Sequence, residues 1–104
     1  MARNIFCEVK WQESTKDGTY SEPIKLENID LLAIEIFPEK DASGTVEVLF
    51  SVSGVNWIPR EESKPIKLSK KAVIERFSDV SERQVRLFLN GKGTVHAWIN
   101  AEGK

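Results

Sequence analysis

Val85-Arg86-Leu87-Phe88-Leu89-Asn90-Gly91-Lys92-Gly93-Thr94-Val95-His96-Ala97-Trp98-Ile99-Asn100 is the stretch that decides the fold. Val85, Leu87 and Leu89 alternate with Arg86, Phe88 and Asn90, and after the glycine break Val95, Ala97 and Ile99 alternate with His96, Trp98 and Asn100. A two-residue period on both sides of a glycine-rich turn predicts two strands, each with one buried face. A three-residue loop with Gly93 in the left-handed conformation makes them a hairpin in which Asn90 meets Thr94. Val85 then faces Ile99, Leu87 faces Ala97 and Leu89 faces Val95 on the inside. Outside, Arg86 faces Trp98 and Phe88 faces His96. Arg86, Phe88, His96 and Trp98 are therefore the candidate interaction surface, with Arg86 placed for a cation–π contact to Trp98. Either the 12–20 segment or the N-terminal strand covers this aromatic face, or a partner does.

The same period extends outward. Ile5, Cys7, Val9 and Trp11 alternate with Phe6, Glu8 and Lys10 and predict a first strand with one buried face. The polar stretch from Gln12 to Ser21, with Asp17-Gly18, is a loop or hairpin connection. Ile24 and Leu26 give a short strand, and Ile29 to Phe37, ending at Pro38, reads as a central strand buried on both faces or covered by neighbouring chain. Lys40 to Gly44 reads as a hairpin loop leading into Val46, Val48, Phe50 and Val52 on one face. Ser53-Gly54 then turns the chain towards Trp57 and Ile58. In residues 69–83, Val73, Phe77 and Val80 fit a helical stripe with Ser69 as N-cap. Against that, Lys70 and Lys71 would sit at the positive end of the helix dipole.

An internal echo decides for a strand over 72–77. Ser21-Glu22-Pro23-Ile24-Lys25-Leu26 recurs as Ser63-Lys64-Pro65-Ile66-Lys67-Leu68. Ile34-Glu35-Ile36-Phe37 recurs as Ile74-Glu75-Arg76-Phe77, and the run Val46 to Phe50 as Val85 to Leu89. Each half then closes with a glycine-containing turn and a tryptophan, Trp57 and Trp98. A pseudo-repeat of about forty residues predicts two similar groups of strands packed face to face. The expected fold is all-β, a single domain over 1–104 built as an antiparallel β-sandwich of about eight strands with jelly-roll or Greek-key connections.

Composition supports this and narrows function. Val and Ile number 18 against 13 for Leu and Ala, a β-branched bias. The 15 basic and 16 acidic side chains leave a net charge of -1, so no bulk field draws in nucleic acid or an anionic membrane. Lys64, Lys67, Lys70 and Lys71 read as a solvated strand edge, neutralised nearby by Glu61 and Glu62. No apolar run approaches membrane-spanning length, and Met1-Ala2-Arg3-Asn4 leads into strand-like sequence without a leader pattern, so a cytoplasmic product is expected. The lone Cys7 lies on an apolar phase and reads as a buried structural thiol. One His and one Cys assemble no nucleophilic triad, and no spacing suits zinc or calcium. Neither an enzyme nor a cofactor or metal site is expected, and His96 reads as a half-exposed strand residue.

Ser51-Val52-Ser53-Gly54-Val55-Asn56-Trp57 resembles the Ser-x-Asp-Gly-x-x-Trp hairpin of small all-β proteins of tailed-phage virions. The match is direct at Ser51, Gly54 and Trp57, with Ser53 where the family has Asp. Val85-Arg86-Leu87 running into Gly-Lys-Gly-Thr-Val resembles the closing hairpin of the same proteins. The resemblance implies a non-catalytic virion component, a capsid decoration or cement protein or a neck or tail accessory. Such a protein would act as a homo-oligomer that contacts the major capsid protein, with an extended terminal arm able to add a strand to a partner's sheet. Two other expectations remain open: a carbohydrate-binding module in which Trp57 and Trp98 stack on sugar rings, and a small regulatory protein that binds a host enzyme.

Overall fold

The alternation across Gln84–Asn100 holds, but its two halves lie in different layers. In the computed structural model, which describes residues 4–103, the strands are β1 Asn4–Glu8, β2 Trp11–Thr15, β3 Gly18–Ser21, β4 Ile24–Lys25 and β5 Ile29–Pro38. They continue with β6 Ser43–Ser51, β7 Ile66–Lys67, β8 Val73–Phe77, β9 Gln84–Lys92 and β10 Val95–Gly103. Met1, Ala2 and Arg3, read above for a leader, and Lys104 lie outside the described residues. A four-stranded sheet runs β1-β10-β5-β8, and a six-stranded sheet runs β2-β3-β9-β6-β7 with β4 also paired to β9. Every pairing is antiparallel. The all-β sandwich is as expected; the strand count exceeds about eight because the first predicted strand divides into β1 and β2 and the 12–21 connection supplies β3.

The expected 85–100 hairpin is not formed. β9 pairs with β6, Val48 against Leu87, while β10 pairs with β5, Ala97 against Ile36. Gly93 has the anticipated positive φ of 95°, yet the bend it makes carries the chain from one sheet to the other. Val85, Leu87, Ala97 and Ile99 still face one another, as opposite walls of one core. The predicted hairpin loop at Lys40–Gly44 is likewise a crossover, from β5 to β6. The two crossovers lie against each other: Thr94 N–H donates to Asp41 Oδ1 at 3.1 Å and Glu39 N–H donates to Thr94 O at 2.9 Å. A Cβ on Gly44 would stand 2.2 Å from Asn90 O, and one on Gly93 2.3 Å from Asp41 O.

The repeat is visible as a quasi-two-fold pattern of pairing. β5 pairs with its counterpart β8, and β6 with its counterpart β9. Ile24 of β4 pairs with Val85, and the equivalent Ile66 of β7 pairs with Val46, which is itself the counterpart of Val85. Leu26 N–H donates to Arg83 O at 2.8 Å and Leu68 N–H donates to Gly44 O at 2.9 Å, again matching positions. The relation ends there. After Trp57 the chain stays by the six-stranded sheet, where Ile58 bridges Phe50, whereas Trp98 lies in the four-stranded sheet. Residues 73–77 are a strand, as the repeat predicts, and no helix forms over 69–83.

The β5 reading needs one correction. Leu32, Ile34 and Ile36 are buried, but Leu31 and Phe37 are each 46% exposed on the other face, so this central strand is covered on one side only. The first strand also changes layer at Val9 and Lys10. Val9 N–H donates to Ala97 O at 2.7 Å in one sheet, and Lys10 O accepts from Glu22 N–H at 2.8 Å beside the other. Trp11 secures the change by donating its indole N–H to Val95 O at 2.7 Å. Residues 12–21 form a hairpin turning at Lys16-Asp17, with Thr15 bonded to Gly18 O.

Two side-chain devices hold the layers. Between β3 and β4, where Pro23 has no N–H to offer, Ser21 takes over from the strand ladder along β9. Its hydroxyl accepts from Leu87 N–H at 2.8 Å and its carbonyl accepts from the Arg86 guanidinium at 3.0 Å. At an open side of the sandwich, Arg60 lies over Phe50 of one sheet and Phe77 of the other, 5.0 and 5.5 Å from the ring centroids. It makes a two-point pair with Glu82 at 3.0 and 2.9 Å and donates to Ser78 O. These hydrogen bonds hold the Glu82 carboxyl below its ordinary value of 4.5 and raise the Arg60 guanidinium.

Ser21→Ala leaves the Leu87 N–H without a partner in the core and is expected to cost about 1–3 kcal/mol in urea unfolding. Because the folded Glu82 carboxyl titrates below its unfolded value, its contribution is complete above that value and disappears as pH falls through the lowered folded value. Glu82→Gln is therefore expected to cost about 1–2 kcal/mol near neutrality and to flatten that part of the acid limb of stability against pH.

Candidate interaction surfaces

Arg86, Phe88, His96 and Trp98 do not form one surface. β9 and β10 occupy different sheets, so their outward residues lie on opposite outer faces of the sandwich: Arg86 and Phe88 on the six-stranded sheet, His96 and Trp98 on the four-stranded one. Arg86 makes no contact with Trp98. Its guanidinium instead lies between Tyr20, 4.5 Å from the ring centroid, and Trp57, 5.1 Å away. Tyr20 sits opposite Phe88 in the register and packs on it with centroids 4.5 Å apart. Trp57, Arg86, Tyr20 and Phe88 thus make a contiguous, half-buried cluster. The expectation that the 12–20 segment covers this face is met in part, since β3 supplies Tyr20.

The turn before Trp57 is built as its residue types suggest. Ser51 is buried and its Oγ accepts from Gly54 N–H at 2.7 Å, while Ser53 Oγ accepts from Val55 and Asn56 N–H at 3.1 and 3.2 Å. Gly54 takes a φ of 84°, which favours a residue without Cβ. Trp57 leaves the turn to lie on Arg86.

On the other outer face the register sets side chains in rows across four strands. Glu8, Trp98, Glu35 and Ile74 make one row, and Phe6, Asn100, Ala33 and Arg76 the next. His96 stands beside Phe37 in a third. His96 and Trp98 stack at 6.0 Å, and Phe37 lies 6.4 Å from His96. Phe6 is 76% exposed and Ile74 47%. A hollow lined by Phe37, Pro38, Lys40 and Lys70 continues the apolar strip towards the crossovers. Of these residues the sequence reading singled out only His96 and Trp98. Phe6 was already on the outward phase of its strand, while Leu31 and Phe37 were hidden by reading 29–37 as covered on both faces.

Among the described residues no group of three or more His, Cys, Asp or Glu side chains gathers to hold a metal ion. His96 Nε2 stands 3.6 Å from Glu39 Oε2, with both side chains half-exposed. Cys7 is half-buried against the core, which pushes its thiol up and away from the nucleophilic form. Glu61, Glu62, Lys64, Lys67, Lys70 and Lys71 are all exposed, Lys67 on the edge strand β7. No helix among the described residues is long and apolar enough to cross a membrane. Trp57 and Trp98 lie on opposite faces, so no single groove carries both.

The sequence matches no protein-family model and no curated protein. Among solved structures the chain is similar to the SPBc2 prophage-derived protein YomS, with a TM-score of 0.69 at 8% identity over 99% of this chain and 96% of that one. It is also similar to variants of CBM29-2, a family 29 carbohydrate-binding module, made to probe its ligand recognition. Two of these give TM-scores of 0.55 at 14% identity, covering 98% and 99% of this chain and 80% and 81% of theirs. At such identities the likeness is one of fold.

Proposed function

We propose that the protein is a non-catalytic structural component of a phage particle, a capsid decoration or cement protein. It would dock on the major capsid protein through the outer face of the four-stranded sheet and work as a homo-oligomer. The observation that carries the phage assignment is the end-to-end likeness to a prophage-derived protein, which covers nearly the whole of both chains. The choice of face rests on exposure: Phe6, Leu31, Phe37 and Ile74 lie open on it around the half-buried Trp98, a larger apolar area than a sheet facing only water needs. Glu8 and Glu102 on one side of that face, Glu35 within it and Arg76 on β8 suit a partner patch that is apolar with complementary charges of both signs.

The second reading, carbohydrate binding, is favoured by the likeness to CBM29-2. It would use the opposite sheet, where Trp57, Tyr20 and Phe88 cluster around Arg86. Trp98 would have no part in it.

Mass spectrometry of particles purified from the phage or induced prophage that carries the gene is expected to find the chain in many copies per head. Purified protein is expected to sediment with heads stripped of it. The double variant Phe37→Glu, Ile74→Lys alters only exposed side chains and is expected to bind those heads at least tenfold more weakly while keeping its β-type circular dichroism. Absence of the chain from particles, together with glycan binding that Trp57→Ala abolishes, would replace this reading with the second.

A further inference from the structure

We infer that β1 is a self-pairing edge. Two copies of the chain would join their four-stranded sheets through antiparallel β1 strands centred on Phe6. This deepens the oligomeric part of the reading above and names its contact. The inference starts from a comparison of the strands at the four ends of the two sheets; β4, which pairs only with β9, has two residues and follows Pro23. An unpaired strand edge offers its N–H and C=O groups to any passing strand, and soluble proteins blunt such edges.

Three of the edges here are blunted. β2 carries a register irregularity between Trp11 and Glu13 and is polar along Gln12-Glu13-Ser14-Thr15. β7 has two residues, follows Pro65 and bears Lys67. β8 points Glu75 towards the inner side, and Arg60 crosses its end to reach Ser78 O. β1 has none of these devices. It is regular over Asn4–Glu8, pairs only with β10 among the described residues, and contains no Lys, Pro or Gly.

Its side chains call for a cover on both faces of the edge. On the inner side, Ile5 and Cys7 pack against the core but stay half-exposed, so the core is open at this edge. On the outer side Phe6 is 76% exposed. A second copy completes both sides at once. With Phe6 opposite Phe6, antiparallel pairing sets Asn4 against Glu8 and Ile5 against Cys7. The apolar inner residues of the two copies meet, and the sole charge of each strand faces a neutral amide, whereas a register that opposed two Glu8 side chains would be repelled. The product is a continuous eight-stranded sheet, made of two four-stranded halves, with one extended outer face. Pairing through a five-residue strand is at the small end of interfaces, so the dimer forms in a concentration-dependent way.

Light scattering on the purified chain, from about 1 µM to 1 mM, is expected to show the mass rising from 11.8 kDa towards twice that value. Phe6→Lys, at an exposed position, is expected to stay at the monomer mass throughout with an unchanged circular-dichroism spectrum. Phe6→Cys in a Cys7→Ala background is expected to form a disulfide-linked dimer on mild oxidation, because directly opposed residues of an antiparallel pair lie about 5 Å apart at Cβ. Ile74→Cys in the same background, on the far edge, is expected to remain uncrosslinked. A wild-type chain that is monomeric at 1 mM, or a dimer that survives Phe6→Lys and crosslinks through position 74 instead, overturns the inference. A monomer that still sediments with phage heads would overturn β1 pairing alone, and a β1 dimer absent from particles would overturn the virion reading alone.

Discussion

Everything in this fold depends on two chain crossovers lying against each other closely enough that side chains are excluded between them. β5 passes to β6 and β9 passes to β10 at the same end of the sandwich, and the approach of Gly93 to Asp41 leaves no room for a Cβ. That contact puts β5 and β10 in one layer and β6 and β9 in the other. The core then follows, since the apolar phases of all four strands point into the space between the layers. The Asp41 carboxylate and the Thr94 backbone N–H fix the two bends relative to one another.

This is also where reading from sequence fails. A Gly-x-Gly break between two alternating runs satisfies a hairpin and a sheet-to-sheet bend equally well, because both need a left-handed glycine and both keep one apolar phase per strand. What separates them is which distant strand each run meets: Val48 opposite Leu87, and Ile36 opposite Ala97. Local chemistry carries no record of such partners. The parity of β1, β6, β9 and β10 is legible from alternation, and the strand at 73–77 is legible from the repeat, because a repeated unit transfers its conformation without reference to contacts. β5 misled because Leu31 and Phe37 are apolar on an outward phase, and hydrophobicity alone cannot tell a second buried face from an exposed apolar one.

The candidate surface suffered the same error in a sharper form. Arg86 and Trp98 are cross-strand neighbours only in a β9–β10 hairpin. In the structure Arg86 instead finds Tyr20, Trp57 and the Ser21 carbonyl. Its guanidinium is tied into the six-stranded sheet. Among the described residues no comparable clasp lies on the outer side of the four-stranded sheet, where Phe6, Leu31, Phe37 and Ile74 are exposed.

The quasi-two-fold pairing has a consequence for how the chain reaches this state. Counterpart strands pair with each other, β5 with β8 and β6 with β9, so each sheet contains a ladder that draws one strand from each half of the sequence. Neither half can close a sheet alone, and chain segments of about forty residues must be brought together before the first of these ladders can grow. The search is therefore slow and strongly cooperative compared with that of a domain built from local hairpins. An isolated half would stay unstructured until it met its complement.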